Sequence, residues 1–229
     1  MTDCVVIVPM LGRGHLMDRL RESLAASTDR ARILWVVTAG DFNVLDELHG
    51  EDHVITPPRT RGDYAHKINT GVDASDEPLI FTGAIDLHFL PGWLETATQY
   101  INAGFGVVGT NDLCNPRTAN GHSTHTLLTR EYAELPCIDG SPGPLHEGYW
   151  HEFVDDELCA TAKARGQWTH AADVVVEHLH WTVGKRERDR IDATYRERMV
   201  FGRRLYRQRQ RLWLNAQGKA TPRPTLDTK

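Results

Sequence analysis

The chain has 229 residues, a formal net charge of −5, 40% hydrophobic residues and 25% charged residues. That balance fits one folded α/β-sized domain with a short appendage and excludes disorder along the whole chain. No apolar run approaches the ~18–20 residues of a membrane helix. The apolar start, Met1 to Met10, carries Asp3 and no basic residue, so no signal peptide is expected and a cytoplasmic location is.

Cys4, Cys114, Cys137 and Cys159 are scattered, with no C-x-x-C pair. Reduced thiols are expected, not a zinc knuckle or a redox motif. The net charge hides an asymmetry. Residues 1–184 carry 12 Lys/Arg against 26 Asp/Glu, whereas residues 185–229 carry 14 against 5. We expect an acidic body, 1–184, and a basic arm, 185–229. A polyanionic partner and a solvated helix face both fit the arm.

Val5-Val6-Ile7-Val8-Pro9 reads as a buried strand ended by proline. After Gly12-Arg13-Gly14-His15, Leu16, Leu20 and Leu24 have helical spacing. Strands follow at Ile33–Val37, His53–Thr56, Leu79–Thr82 and Phe105–Gly109, with a helix from Tyr64 to Ala74 and another opening at Pro91–Leu94, proline in its first turn. Residues 111–150, rich in Gly, Pro, Asn, His and Thr, read as a long functional loop. A helix runs from about Asp155 to Ala164 with Gly166 as its C-cap, and a late strand from Val174 to His180 puts His178 and His180 on one face. Arg186 to Leu214 reads as one long helix with an apolar stripe of Ile191, Tyr195, Met199, Tyr206 and Trp213; residues 215–229 look frayed.

Strands alternating with helices predict a mostly parallel central sheet flanked by helices. Such sheets bind ligands beyond the carboxyl ends of their strands. Pro9–His15, Thr38–Asp41, Gly83–His88 and Gly109–Asp112 are therefore the places to look.

The segment Thr82-Gly83-Ala84-Ile85-Asp86-Leu87-His88-Phe89-Leu90-Pro91-Gly92-Trp93-Leu94 resembles the "DDD-x-x-F-x-P-G-W-L" block of family 2 glycosyltransferases, including small ones common in bacteriophages. The resemblance implies the GT-A (Rossmann-like) fold, a nucleotide-diphosphate sugar donor and Mn²⁺ or Mg²⁺ at the diphosphate. The chain departs from the pattern, since Ala84-Ile85-Asp86 stands where the family has a run of acids. A weakened or metal-independent site is one reading of that departure. By resemblance the metal candidates are Asp86, His88, His178 and His180, with His178 and His180 as alternatives for the histidine after the last strand.

His151-Glu152-Phe153-Val154-Asp155-Asp156-Glu157-Leu158 resembles the family's "E-D-x-D-L" helix start. That register gives Asp155 the general-base position, with Asp156 as its neighbour. A base opposite the leaving group implies inversion, because the acceptor hydroxyl must lose a proton as it attacks. Acids in a helix's first turn also suit the macrodipole, but three in a row exceed what capping requires.

Donor-binding candidates are Pro9, Arg13, Asp41, Lys67, Asn69 and Asp86. Lys67-Ile68-Asn69-Thr70-Gly71 resembles the family's "K-x-N-x-G" and would face the diphosphate or ribose. Asp41 can accept from a pyrimidine N3–H, which favours a UDP-sugar. The loops at Gly121–His125 and His146–His151 could bind a sugar or the acceptor. The basic arm raises DNA, carrying a hydroxymethylated base, as an acceptor, against a glycan or small metabolite. Two other readings stay open: a nucleotidyltransferase, against which the first loop offers no lysine, and a non-enzymatic nucleic-acid-binding module built on the arm. The oligomeric state is not legible.

Overall fold

Cys4–Met10 forms β1 of the computed structural model, which describes residues 2–117 and 121–216. The run is continuously apolar because both sides of the strand are covered. Val6, Val8 and Met10 join one core cluster, and Val5 and Ile7 join the other. Beside β1 lie β2 (Ala31–Thr38) and β4 (Leu79–Thr82), with β3 (His53–Thr56) outside β2, all parallel. The intervening helices are α1 (Met17–Ser27), α2 (Phe42–Leu45) and α3 (Asp63–Asp73).

The second half contains β5 (Leu87–Phe89), α4 (Trp93–Asn102), β6 (Val107–Asn111), β7 (Thr126–Thr129) and α5 (Arg130–Ala133). It continues with α6 (Val154–Ala164), β8 (Trp168–His178) and α7 (Tyr195–Ala216). The sheet order is β3-β2-β1-β4-β7-β6-β8-β5. Apart from the parallel pairs already given, β6–β8 is parallel, whereas β4–β7, β6–β7 and β5–β8 are antiparallel. The sheet is thus mostly parallel, as expected.

Helices cover both faces. Met17, Leu20 and Leu24 of α1 and Trp93, Leu94 and Ala97 of α4 fill one side. Phe81, Phe89 and Trp93 form edge-on and tilted ring contacts there at 4.9–5.5 Å. On the other side Ala65, Ile68 and Val72 of α3 meet Val154, Leu158 and Ala162 of α6.

The structure corrects four sequence readings. The 111–150 stretch is not all loop: β7 wedges between β4 and β6, and its two apolar residues, Leu127 and Leu128, are too short a signal beside flanking threonines. Helix α4 starts at Trp93, because Gly92 (φ +82°) reverses the chain just before it and leaves Pro91 outside. Strand β8 begins at Trp168, not Val174; its first half is polar but pairs with β6.

The fourth correction matters for function. The arm is not one helix from Arg186. Asp189 caps a short 3-10 turn, Arg190–Thr194, in a reciprocal box with Asp192, and α7 starts only at Tyr195. Residues 185–194 form a strap over the sheet's carboxyl edge. Ile191 falls in the strap; Tyr206 and Trp213 stack at 4.9 Å, and Tyr206 lies 5.8 Å from Phe153. Gly202 lets α7 come against the backbone of Glu152, where any side chain would collide. Arg209 bonds Glu157 (2.7 Å) and Asp139 (2.7 Å), and Arg198 pairs with Glu152 (3.2 Å). The apolar stripe is therefore a docking seam, and part of the arm's charge is answered by the acidic body. Most of the frayed-tail expectation, 217–229, lies outside the described residues.

Candidate functional site

Asp86 follows the carboxyl end of β4 and is 4% exposed. The antiparallel β5–β8 pairing sets Leu87 opposite His178, which brings the imidazole to the acid. His178 Nε2 lies 3.3 Å from Asp86 Oδ1. Arg186 Nε donates to Oδ2 at 3.0 Å, and Arg13 Nη1 stands 4.0 Å from the same oxygen. Burial works against ionisation of Asp86, but the charge and hydrogen bond of His178, joined by Arg186, hold the carboxyl far below its ordinary value. Reciprocally, burial would lower His178, yet Asp86 outweighs it and lifts the imidazole to about 10. The pair is ionic at neutral pH.

Two further histidines adjoin His178. His125, 5.0 Å away, is pushed down to about 4 by burial and then by the His178 charge. His180, 4.9 Å away, is lowered to about 4 for the same two reasons. His180 Nδ1 contacts Thr182 Oγ1 at 2.7 Å, which commits it to the turn after β8. His88 sits opposite Glu177 in the β5–β8 ladder; among the described residues no hydrogen bond or ion pair joins it to Asp86.

The second acid group starts α6. Phe153, at φ +72°, turns the chain into the helix and presents Asp155 and Asp156 in its first turn. His122 Nε2 lies 3.2 Å from Asp155 Oδ2, and Arg117 Nη1 donates to Asp156 Oδ1 at 2.6 Å. Burial opposes ionisation of Asp155, but the bond and charge of His122, then Arg117, outweigh it and hold the carboxyl low. Burial and repulsion from Asp155 raise Asp156. His122 resists its own burial through Asp155 and rises to about 10. Tyr64, on α3, sits beside the end of β4. Its hydroxyl donates to Gly83 O at 3.3 Å, and its phenol is raised by burial and then by the charges of both Asp155 and Asp86.

The first strand ends supply a third wall. Pro9 lies in β1 opposite Val36 of β2. Asp41 Oδ2 accepts from Gly12 N at 2.6 Å, tying the loop after β2 to the loop after β1. Arg13 holds Asp189 (2.7 and 3.0 Å) and Asp192 (2.9 Å) of the strap. Lys67 is buried, and its ammonium donates to Met10 O (2.5 Å), Thr38 Oγ1 (2.7 Å) and Asp63 Oδ2 (2.7 Å). All three of its hydrogens are used, so it staples the ends of β1 and β2 and has no donor left for a ligand. Asn69 likewise brackets Leu145, donating to its carbonyl (2.8 Å) and accepting from its N–H (3.2 Å).

Of the residues the sequence singles out, the structure sets Asp86 beside His178 and Arg13, and Asp155 in a second group; Arg186, Asp189, Asp192 and Arg117, which no motif marks, hold these groups together. Arg186 lies 100 residues from Asp86 in the chain, and no local pattern signals that pairing.

No protein-family model matches the chain, and no curated protein matches it by sequence. Solved structures do match in shape. Glucosyl-3-phosphoglycerate synthase from Mycobacterium tuberculosis, in complex with Mn²⁺, UDP and glucosyl-3-phosphoglycerate, superposes with a TM-score of 0.60 at 14% identity, over 95% of this chain and 80% of that one. The fold is that of the GT-A glycosyltransferases. A mannosyltransferase from Pyrobaculum calidifontis, in complex with GDP-Man and Mn²⁺, gives 0.57 at 18% identity over 78% of this chain; the match spans only 57% of the mannosyltransferase. The Mycobacterium enzyme was also solved with Mg²⁺ and UDP, matching at 0.55 and 16% identity over 90% of this chain and 79% of that one. The expected ligand classes, a divalent cation and a nucleotide donor, are those these neighbours hold.

The side chains here do not offer that cation an open seat. Both oxygens of Asp86 are taken by His178 and Arg186. Among the described residues two other groups bring three potential ligand atoms within 4.8 Å: Asp112, Cys114 and His178, and His122, Asp155 and Asp156. In the first, Asp112 already accepts from Cys114 N, Asn115 N and Thr124 Oγ1. In the second, the Arg117 guanidinium already holds Asp156 Oδ1 at 2.6 Å. The buried His125 Nε2 has no partner, but it belongs to neither group.

Proposed function

We propose that the chain is a glycosyltransferase that moves a sugar from a nucleotide-diphosphate sugar to an acceptor hydroxyl. The observation that supports this reading is the placement, on a GT-A sheet, of Asp86 just beyond β4 and of Asp155 in the first turn of α6. Asp155 is the general base. The acceptor oxygen bonds to the anomeric carbon as its proton passes to Asp155. The bond from that carbon to the diphosphate breaks, and its electron pair stays on the leaving oxygen. Attack from the face opposite the leaving group inverts the anomeric centre.

Asp41 at the end of β2 favours a pyrimidine base and hence a UDP-sugar. His122 and Arg117 keep Asp155 ionised. The acceptor fits a polyanion: Arg196, Arg203, Arg204, Arg207 and Arg211 are exposed along α7. DNA with a hydroxymethylated base is the specific case raised by the resemblance to phage enzymes. Among the described residues no helix is long and apolar enough to cross a membrane.

Incubation with a panel of nucleotide sugars, scored by released nucleoside diphosphate and by the anomer formed, tests the reading. Turnover that vanishes in Asp155→Asn is expected. Undiminished turnover in both Asp155→Asn and Asp86→Ala would overturn the assigned roles.

A further inference from the structure

A departing diphosphate needs positive charge, and the arrangement around Asp86 already contains it. Arg13 comes from the turn after β1 and Arg186 from the strap, and both guanidinium groups converge on the one buried acid. Their remaining donors are not idle. Arg13 holds Asp189 and Asp192, and Arg186 holds Asp192 through two contacts of 2.7 and 2.9 Å. Two forked cations thus grip two carboxylates at the carboxyl edge of the sheet, where ligands of such sheets bind. The guanidinium fork matches phosphate oxygens as well as carboxylate oxygens. A nucleotide-sugar diphosphate carries two negative charges, the same number as the two carboxylates.

We propose that Arg13 and Arg186, and not a divalent ion held by Asp86, bind and neutralise the donor diphosphate, with Asp189 and Asp192 standing in for its phosphates until the donor arrives. This rests on the glycosyltransferase reading and deepens it. Asp86 then orients the two arginines instead of ligating a metal. A cation placed at its carboxylate would meet two guanidinium groups, so like charges oppose metal entry. The strap fits the exchange. Asp189 has a side chain 34% exposed and can turn to solvent, and Arg190 and Ile191 lie directly over Gly12 at the mouth of the first loop. Donor binding therefore turns Asp189 to solvent and opens Arg13 first, and Arg186 is freed only as the diphosphate displaces the buried Asp192.

The test is calorimetric titration of the full chain with UDP, GDP, ADP, CDP and dTDP, in EDTA and in MnCl₂. At least one nucleotide is expected to bind in EDTA with an affinity within threefold of that in Mn²⁺. Arg186→Gln is expected to weaken it 30-fold or more, and Arg186→Lys by a smaller factor. Circular dichroism confirms that each variant is folded; if one is not, the metal comparison on the unaltered protein decides alone. Binding only in Mn²⁺ overturns the inference and leaves the glycosyltransferase reading standing. Binding in EDTA that a folded Arg186→Gln variant retains at full strength overturns it too. No binding of any nucleotide in either buffer overturns the donor reading itself, and the inference with it.

Discussion

Arg186 Nε donates to Asp86 Oδ2 at 3.0 Å, which ties the strap after β8 to the end of β4. The contact joins the C-terminal arm to the carboxyl edge of the sheet. The division between body and arm expected at residue 184 therefore passes through the candidate site: Arg186, Asp189 and Asp192 lie on the arm side of it and act on the body side.

Asp155→Asn tests the base. The amide keeps the size and the helix start but cannot take a proton. General-base catalysis contributes about 10²–10⁴-fold, so kcat is expected to fall by that order while nucleotide affinity changes little. An equal fall in Asp156→Asn, with Asp155 intact, would move the base to Asp156.

The His122–Asp155 pair sets a pH dependence. His122 has a folded pKa of about 10 against an ordinary 6.5. A raised folded pKa contributes stability that is complete below 6.5 and is lost as pH rises through about 10. The pH-dependent part is on the order of 5 kcal/mol. His178 titrates in the same window, so the comparison must be a difference. Wild type is expected to exceed His122→Gln in urea stability most at pH 6–7, with the gap closing by pH 10. A gap independent of pH would mean that His122 is not protonated in the fold.

Arg209 and Glu157 test whether α7 is held by charge. Glu157 is 3% exposed and also accepts from Tyr149 OH at 2.7 Å. Arg209→Met leaves that carboxylate buried with one neutral donor, which costs about 3–5 kcal/mol. Adding Glu157→Gln to an Arg209→Met chain removes the buried charge and keeps an acceptor for Tyr149, so the double variant is expected to recover most of the loss. Denaturant titrations of the single and double variants decide; no recovery would assign the cost to packing around Arg209.

The residues legible in the sequence were those whose role is local. Val5–Pro9, Ile33–Val37 and Leu79–Thr82 are apolar throughout because helices cover both faces, and such runs announce themselves. Leu127 and Leu128 announce nothing, since a strand of four with threonines at its ends looks like loop until β4 and β6 flank it. Asp86 and Asp155 are marked as candidates by the motifs around them. Lys67 was found by motif as well, but its surroundings, Met10 O, Thr38 and Asp63, come from three separate segments and turn it inward. The break at Asp189 follows from a capping box whose letters, Asp189 and Asp192, sit inside a run of arginines that reads as helix. Long-range pairing, not local preference, separates what was legible from what was not.

The exposed arginines of α7 carry the last prediction. Arg203 and Arg207 lie one helical turn apart on a face that meets solvent, while Arg198 and Arg209 face the body in ion pairs. If the acceptor is a nucleic acid, binding of duplex DNA should weaken steeply with salt, with a slope set by the number of phosphates contacted. The double change Arg203→Glu and Arg207→Glu is expected to abolish that binding and to leave nucleotide affinity and urea stability within about 0.5 kcal/mol of wild type, as for surface sites generally. Fluorescence anisotropy at several salt concentrations reads the first effect, and calorimetry and denaturation read the others. DNA binding that is absent in wild type, or that is insensitive to salt, would remove nucleic acid from the acceptors and leave a glycan or a small metabolite.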